Sequence, residues 1–280
     1  MILAQRSYTG KAVLWASALL IVLTISGPIL WALLTSLKLE TKAVAFPPVW
    51  IPDPVTWSHY VDVIRNDNFL SDLWNSVLYS VGAVALSMAV GVPAGYAAAR
   101  FQFRGKQALM LTILGTSMVP GVALLVPTYI LLDRMGLLND RLVIIAIMAA
   151  RLAPQTVWFV QNFVQAVPAE MEEAAFVDGA TRFQVLRLLV VPLIKPGLAA
   201  IAVLGLITTW NDYVTIAVFA PDVASRTLQV ALVNQVFDTI GISWSYFMSF
   251  AIVASAPVVL IFMVAQRLFV AGLTAGTVKG

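Results

Sequence analysis

The chain has 280 residues, of which 60% are hydrophobic and only 11% are charged, and its mean hydropathy is +0.90. This composition excludes a water-soluble globular domain, and the lack of cysteine excludes disulfides and thiolate chemistry. The net charge of +3 is typical of basic loops beside a membrane, so we predict membrane lipids, and no nucleic acid, as partners.

Charged residues occur in clusters, and long uncharged gaps separate these clusters. A helix needs about 20 apolar residues to cross the hydrocarbon core. Four gaps exceed this length without a charge, and two more are each interrupted by a single charge, Arg151 or Asp212. The sequence therefore predicts an all-α membrane protein with six transmembrane helices in a single domain, residues 1–280. The predicted spans cover about residues 12–36, 73–99, 108–132, 140–163, 196–219 and 247–270.

The distribution of Lys and Arg favours one orientation of these spans. With the N-terminus in the cytoplasm, ten basic residues of the loops fall inside and six fall outside. Basic residues concentrate in cytoplasmic loops, so we predict that both termini are cytoplasmic. The same orientation places the loop of residues 164–195 inside.

The first outer loop is rich in proline, at positions 47, 48, 52 and 54, which predicts an extended chain rather than a helix. His59 in this loop has no second ligand nearby, so we predict a surface residue and no metal site. In the second span, Gly91 and Gly95 either allow close helix packing or relieve crowding near Pro93. In the third span, prolines 120 and 127 predict kinks.

The fourth and fifth spans hold most of the polar groups at membrane depth. Buried charges in a membrane are costly, about 2.5–3.5 kcal/mol at a helix centre on insertion scales, so they rarely lack a role. One interpretation is a water-filled substrate path, and the other is a structural ion pair between Arg151 and Asp212. The candidate path residues are Arg151, Gln155, Trp210, Asn211, Asp212 and Tyr213.

The inner loop from Pro168 to Pro196 is the most charged stretch of the chain. Pro168 suits a first helical turn, and Gly179 suits the left-handed conformation that ends a helix. Thr181 and Gln184 have the spacing of a capping box, which predicts a second helix directly after the first. Pro192 limits the length of that second helix.

This loop resembles the EAA loop of the permease subunits of bacterial carbohydrate ABC importers. The resemblance rests on Glu173-Ala174-Ala175, then Gly179, then a hydrophobic ending at Pro192, with Leu189 and Val191 as conservative departures. The proline-rich outer loop, the W-N-D-Y sequence of residues 210–213 and the C-terminal F-V-A-G-L-T-A-G-T-V-K-G are also similar to carbohydrate permeases. The loop residues that the resemblance assigns to ATPase coupling are Glu170, Glu173, Ala174, Ala175, Asp178, Gly179, Arg182, Arg187 and Pro192.

The resemblance implies the type I ABC importer permease fold and alternating access driven by a separate ATPase. It also implies a second homologous permease, two copies of the ATPase and an extracytoplasmic sugar-binding protein, all at the bacterial cytoplasmic membrane. This chain has no phosphate-binding G-x-x-x-x-G-K-[ST] motif, so ATP and Mg²⁺ are expected on the ATPase, with no cofactor on this chain. We predict no catalytic residue, since H-E-x-x-H, G-x-S-x-G and paired carboxylates within the spans are absent.

Two alternatives stay open at the level of sequence. A phosphorylated substrate such as glycerol 3-phosphate is handled by relatives of the sugar systems, and Arg151 would then contact an anion. A secondary transporter is the alternative from another class, and it would need no ATPase.

Overall fold

The computed structural model describes the backbone of residues 8–237 and 243–275 and the side chains of residues 13–236 and 243–266. The secondary structure of this part of the chain consists of helices alone, with no β-strand, which confirms the predicted all-α class. A π-helical turn, Val185–Val190, joins α9 to α10, and a 3₁₀ turn, Val223–Ser225, precedes α13. The helices are α1 Tyr8–Ser36, α2 Glu40–Ala43, α3 Ser58–Arg65, α4 Phe69–Arg100, α5 Lys106–Thr116, α6 Gly121–Arg134, α7 Arg141–Gln165, α8 Ala169–Val177, α9 Arg182–Gln184, α10 Val191–Leu193, α11 Lys195–Trp210, α12 Tyr213–Phe219, α13 Leu228–Phe237 and α14 Trp244–Ala275.

Four of these helices, α1, α4, α7 and α14, are long and apolar enough to cross a membrane. Two bent pairs raise the number to six if each pair is one span. The α5–α6 pair bends by 85° just before Pro120, as predicted, whereas α6 continues through Pro127 without ending. In the second pair, the helical run from Arg182 to Leu193 meets α11 at 78°. The termini, whose orientation we predict as cytoplasmic, lie outside the described residues.

The predicted fifth span, residues 196–219, is wrong as a continuous helix. Apolar composition runs through the whole stretch, but α11 ends at Trp210 and α12 starts at Tyr213. The physical reason is local, since Asn and Asp compete with the helical backbone for hydrogen bonds. Asp212 takes the N-cap position of α12, and its Oδ1 accepts a bond of 3.1 Å from the Thr215 backbone N–H.

The described chain divides into two compact units. The first comprises the described residues up to Asp67 and those of Asn234–Ser255. Here Glu40 caps the start of α14, because its carboxylate accepts bonds of 2.8 Å and 2.9 Å from the Trp244 and Ser245 backbone N–H groups. Burial alone would raise the pKa of Glu40, but these bonds, with one from the Ser243 hydroxyl, bring that pKa below its ordinary value.

Two polar side chains of the first unit lie close to the end of α1, and one of them differs from its predicted setting. His59 is half-buried rather than a free surface residue, and its Nε2 lies 3.2 Å from the Lys38 carbonyl oxygen. Lys38 itself is fully buried, with its Nζ 4.1 Å above the centre of the Trp31 ring. Burial lowers the pKa of Lys38, because the charged ammonium loses hydration.

The second unit comprises Asn68–Val233 and the described residues from Ala256 onward, and its core lies between α4 and α7. The two glycines of α4 allow close packing, as the first of the two interpretations predicts. A Cβ on Gly91 would lie 2.5 Å from the Thr156 Cγ2, and one on Gly95 would lie 2.7 Å from the Val160 Cβ. Two apolar clusters follow from this contact, one with α12 and one with the helices from α8 to α11.

Candidate functional site

The inner loop folds as two short helices joined by a sharp turn, as the sequence predicts. Gly179 has a φ of +86°, and the capping box is present, with Thr181 N–H donating to Gln184 Oε1 at 2.7 Å. Pro168 lies at the N-cap of α8, one residue before the first helical turn where we predicted it. The second helix ends at Leu193, one residue past Pro192, after the π-helical turn that the sequence did not predict.

Most of the predicted coupling residues lie on the surface of this loop. Only Ala175 is half-buried, and the other eight are exposed: Glu170, Glu173, Ala174, Asp178, Gly179, Arg182, Arg187 and Pro192. Exposed apolar side chains, including Val177, Phe183 and Leu188, lie among them. This surface therefore combines exposed acidic, basic and apolar side chains.

A buried ion pair fastens this loop to the end of α4. Glu172 Oε1 accepts a bond of 2.7 Å from Arg100 Nε, and Glu172 Oε2 accepts one of 2.8 Å from the Tyr96 hydroxyl. The side chains of Glu172 and Arg100 are only 5% and 17% exposed. Arg100 also donates to the Val167 carbonyl oxygen at 2.7 Å. The position of α8 is thus fixed by charge as well as by apolar packing.

Arg182 provides a second connection between the loop and α4. Its guanidinium carbon lies 4.6 Å from the centre of the Phe101 ring and 5.8 Å from that of Phe176. A guanidinium above an aromatic face is attracted by the negative charge of the ring face. Arg182 therefore connects the second helix of the loop to the chain that leaves α4.

The structure brings Arg151 and Asp212 together at the break between α11 and α12. Arg151 Nη1 donates to Asp212 Oδ2 at 2.8 Å and to the Thr215 hydroxyl at 2.6 Å. The Thr215 hydroxyl in turn donates to Asp212 Oδ2 at 2.7 Å. The side chain of Asp212 is 13% exposed, whereas that of Arg151 is 54% exposed. Asp212 thus closes a three-residue network that also caps α12.

The same arginine also lies beside the bend between α5 and α6. A Cβ built on Gly121, the first residue of α6, would lie 3.6 Å from Arg151 Nη2. The bend between α5 and α6 and the break between α11 and α12 therefore meet the guanidinium of one residue of α7. Irregular backbone at membrane depth is tolerated where polar groups or a cavity receive it.

The remaining predicted path residues do not gather into one polar site. Trp210 is buried, the Asn211 amide donates back to the Ile207 carbonyl at 2.8 Å, and Tyr213 packs against the apolar cluster of α4 and α7. Gln155 is exposed and lines a small cleft with Ser87, Thr156 and Thr208. The cleft measures about 40 Å³, which is room for a few water molecules and too little for a sugar ring.

The sequence analysis did not identify Thr215 as a partner of Arg151 and Asp212, and it did not identify two further ion pairs. Thr215 carries a local signal, because Asp followed three residues later by Thr matches an N-cap and its N3 position. The Arg100–Glu172 pair carries no local signal. The same is true of the Arg226–Asp72 pair, whose Nε–Oδ1 distance of 3.0 Å holds the 3₁₀ turn against α4.

We expect Arg151→Ala and Asp212→Asn each to lower the thermal unfolding temperature, because each leaves an opposite charge without its partner. Asn still caps α12, so Asp212→Asn removes the charge and keeps the cap. The double variant should recover much of the loss, with a coupling energy of about 1 kcal/mol in the double-mutant cycle. Thermal unfolding of the purified variants measures it.

Gln155→Ala, one turn further along α7, is the matched control and should unfold like the unchanged protein. If Arg151 and Asp212 instead line the substrate path, the result differs. Arg151→Ala and Asp212→Asn would then keep their stability and lose transport, and the double variant would not restore transport.

Comparison with known proteins places the chain in a family. The family described as "Binding-protein-dependent transport system inner membrane component" matches residues 91–275. The chain is 31% identical over 279 residues to the diacetylchitobiose uptake system permease protein DasC of Streptomyces coelicolor, which covers 99% of this chain and 100% of the relative. It is 34% identical over 253 residues to the maltose/maltodextrin transport system permease protein MalG of Yersinia pestis, covering 82% of both chains.

The fold has a close counterpart among solved structures. A chain in the crystal structure of a bacterial ABC transporter involved in the import of the acidic polysaccharide alginate superposes with a TM-score of 0.82. The sequences are 24% identical, and the alignment covers 95% of this chain and 99% of the other. The predicted ABC importer permease fold is confirmed. The chain accordingly belongs to the family of inner membrane components of binding-protein-dependent transport systems.

Proposed function

We propose that this chain is the permease subunit of an ABC importer that moves a sugar or sugar derivative across the cytoplasmic membrane by alternating access. The main support for this proposal is the names of relatives that span most of the length of this chain. These relatives are named as permeases for saccharides, including diacetylchitobiose and maltose/maltodextrin. The W-N-D-Y sequence and the proline-rich outer loop add to this support.

The inner loop serves as the coupling element to the ATPase. Its exposed acidic, basic and apolar side chains form a docking surface, while Glu172 and Arg182 hold that surface against α4. A movement of the ATPase would then be transmitted to α4 through a buried ion pair. Rigid-body movement of packed helices is one of the common forms of such transitions.

The substrate path is completed by a second homologous permease. The cleft beside Gln155 is too small for a sugar ring, so this cleft alone does not form the path. The other partners are two copies of the ATPase and an extracytoplasmic sugar-binding protein. Both termini lie in the cytoplasm, in keeping with the distribution of basic residues.

The chain itself acts without catalysis and without a cofactor of its own. ATP and Mg²⁺ belong to the ATPase, which closes around them and favours the outward-facing state. ATP drives this change only if it binds that state more tightly. In the network at the helix break, Asp212 neutralises Arg151, which favours a neutral saccharide over a phosphorylated one.

We expect proteoliposomes that contain the chain, its partner permease and the ATPase to take up radiolabelled saccharide when ATP and the binding protein are supplied. Candidate probes are diacetylchitobiose and maltose, with glycerol 3-phosphate as competitor. Uptake that persists without ATP and follows an imposed ion gradient would contradict the proposal. Strong competition by glycerol 3-phosphate would instead support the phosphorylated substrate.

A further inference from the structure

An exposed apolar segment follows the first long helix. Residues 44–57, V-A-F-P-P-V-W-I-P-D-P-V-T-W, connect α2 to α3 and are called here the aromatic loop. Phe46 is 95% exposed, Trp50 is 68% exposed and Ile51 is 76% exposed. Large apolar side chains concentrated in this way mark a surface that another phase or molecule covers.

The aromatic loop runs back along α1 instead of away from it. The rings of Trp50 and Trp31 meet edge to face, with their centres 5.3 Å apart. Trp31 lies about 1.4 turns before the end of α1 at Ser36, which is about 7.5 Å along the helix axis. The loop then returns to the helix end, where the Thr56 backbone N–H donates to the Leu37 carbonyl at 2.9 Å.

This course places the tip of the loop beside a helix that is itself membrane-spanning. The apolar part of α1, Val13–Ser36, is long enough to cross the bilayer, and none of its most apolar stretch is buried inside the chain. The exposed side chains of the loop therefore continue the uncovered apolar surface of α1. Trp31 precedes the C-terminal end of α1, so the loop meets α1 within its apolar stretch and not beyond it.

The backbone of the loop suits a partly dehydrated setting. An unpaired N–H group is costly away from water, and proline has none. Pro47, Pro48, Pro52 and Pro54 remove half of the N–H donors from residues 47–54. Asp53 is the one charged residue of residues 44–57, so few groups oppose entry into the headgroup region.

We propose that the aromatic loop lies in the membrane interface, with Phe46, Trp50 and Ile51 inserted at the boundary between headgroups and acyl chains. The lipid is that of the leaflet at the C-terminal end of α1. Tryptophan prefers this region, because its ring is apolar and its indole N–H still reaches polar groups. Trp50 thereby fixes the depth of α1 in the bilayer.

Phospholipid fits the geometry better than a water-soluble partner. Trp50 contacts Trp31 within the apolar stretch of α1, and the exposed side chains of that stretch need lipid rather than water around them. The proposal concerns the membrane alone and does not rest on the transported substrate.

Site-directed spin labelling tests the proposal without background, because the chain has no native cysteine. Phe46→Cys and Ile51→Cys carry the nitroxide, and Val44→Cys, also exposed, replaces either variant if it fails to assemble. Asp62→Cys in α3 is the matched control, since Asp62 is exposed on the neighbouring helix. Collision rates with oxygen and with nickel–EDDA are measured on the assembled transporter in phosphatidylcholine/phosphatidylglycerol nanodiscs.

We expect the ratio of oxygen to nickel collisions at Phe46 and Ile51 to be several-fold higher than at Asp62. Equal ratios at all three positions would overturn the proposal, because they place the loop in water. Low collision rates with both reagents would overturn it in favour of burial against the partner permease. A fall in nickel collisions that requires the binding protein would instead make the loop a docking site.

Discussion

Glu172→Gln is expected to destabilise the protein by about 3 kcal/mol and to abolish ATP-dependent uptake. The substitution keeps the size of the side chain but leaves Arg100, which is largely buried, without an opposite charge. Breaking a buried ion pair from one side typically costs about 3–5 kcal/mol. Thermal unfolding of the purified chain measures the first effect, and uptake by proteoliposomes measures the second.

Glu170→Gln is the matched control for stability, because Glu170 lies exposed on the same helix, α8. Its free energy of unfolding should change by less than about 0.5 kcal/mol. Adding Arg100→Gln to Glu172→Gln should recover part of the lost stability, since no buried charge then lacks a partner. If Glu172→Gln unfolds at the same temperature as Glu170→Gln, the pair does not hold α8 in place.

Gly95→Ala is expected to lower the free energy of unfolding by about 1–3 kcal/mol, the usual cost of overpacking. The new methyl group would lie 2.7 Å from Val160 Cβ and 2.9 Å from the Val157 carbonyl oxygen. Neither atom is the end of a flexible side chain, so α4 and α7 must move apart. Gly95→Leu should prevent assembly altogether, which size-exclusion chromatography of the solubilised chain would reveal.

Gly115→Ala is the corresponding control in α5, where a Cβ meets nothing within 4 Å. Alanine forms helix more readily than glycine by about 0.5–1 kcal/mol, so this variant should be equal to or more stable than the unchanged protein. A similar loss of stability in both variants would mean that helix packing at Gly95 is not the cause.

The features that sequence reasoning predicted well are those with local causes. The capping box at Thr181 and the left-handed Gly179 follow from the chemistry of a few neighbouring residues. For the two glycines of α4, the spacing on one helix face indicated close packing as one of two open interpretations, and the structure supports that one. Helices α4, α7 and α14 extend a few residues beyond the predicted spans, since charges mark the membrane limit and not the helix end.

The break at Asn211 and Asp212 was not predicted, although its signal is in the sequence. Apolar composition alone cannot separate a continuous span from two helices, because both bury the same side chains. In the structure, the preference of Asp212 for the N-cap position starts a new helix at this point. The prediction gave more weight to the length of the apolar stretch than to this preference.

The ion pairs of Arg100 and Arg226 depend on the tertiary fold, so no spacing rule predicts them. Their partners, Glu172 and Asp72, lie on different elements far along the chain. In the sequence these four residues look like ordinary charges that flank spans. Because they are largely buried, the two ion pairs hold neighbouring elements against α4. This role becomes visible only once the packing of α4 is known.

The ion pair between Asp72 and Arg226 can form only late in the synthesis of the chain. The two residues are 154 positions apart, so Asp72 leaves the ribosome long before its partner exists. At about 5–20 residues per second, this interval is on the order of 10–30 s. During that time water, lipid headgroups or the translocation machinery must solvate a carboxylate at the end of a freshly inserted helix. Nascent chains that stall before Arg226 should therefore expose Asp72 to quality-control proteases, while chains released after it should not.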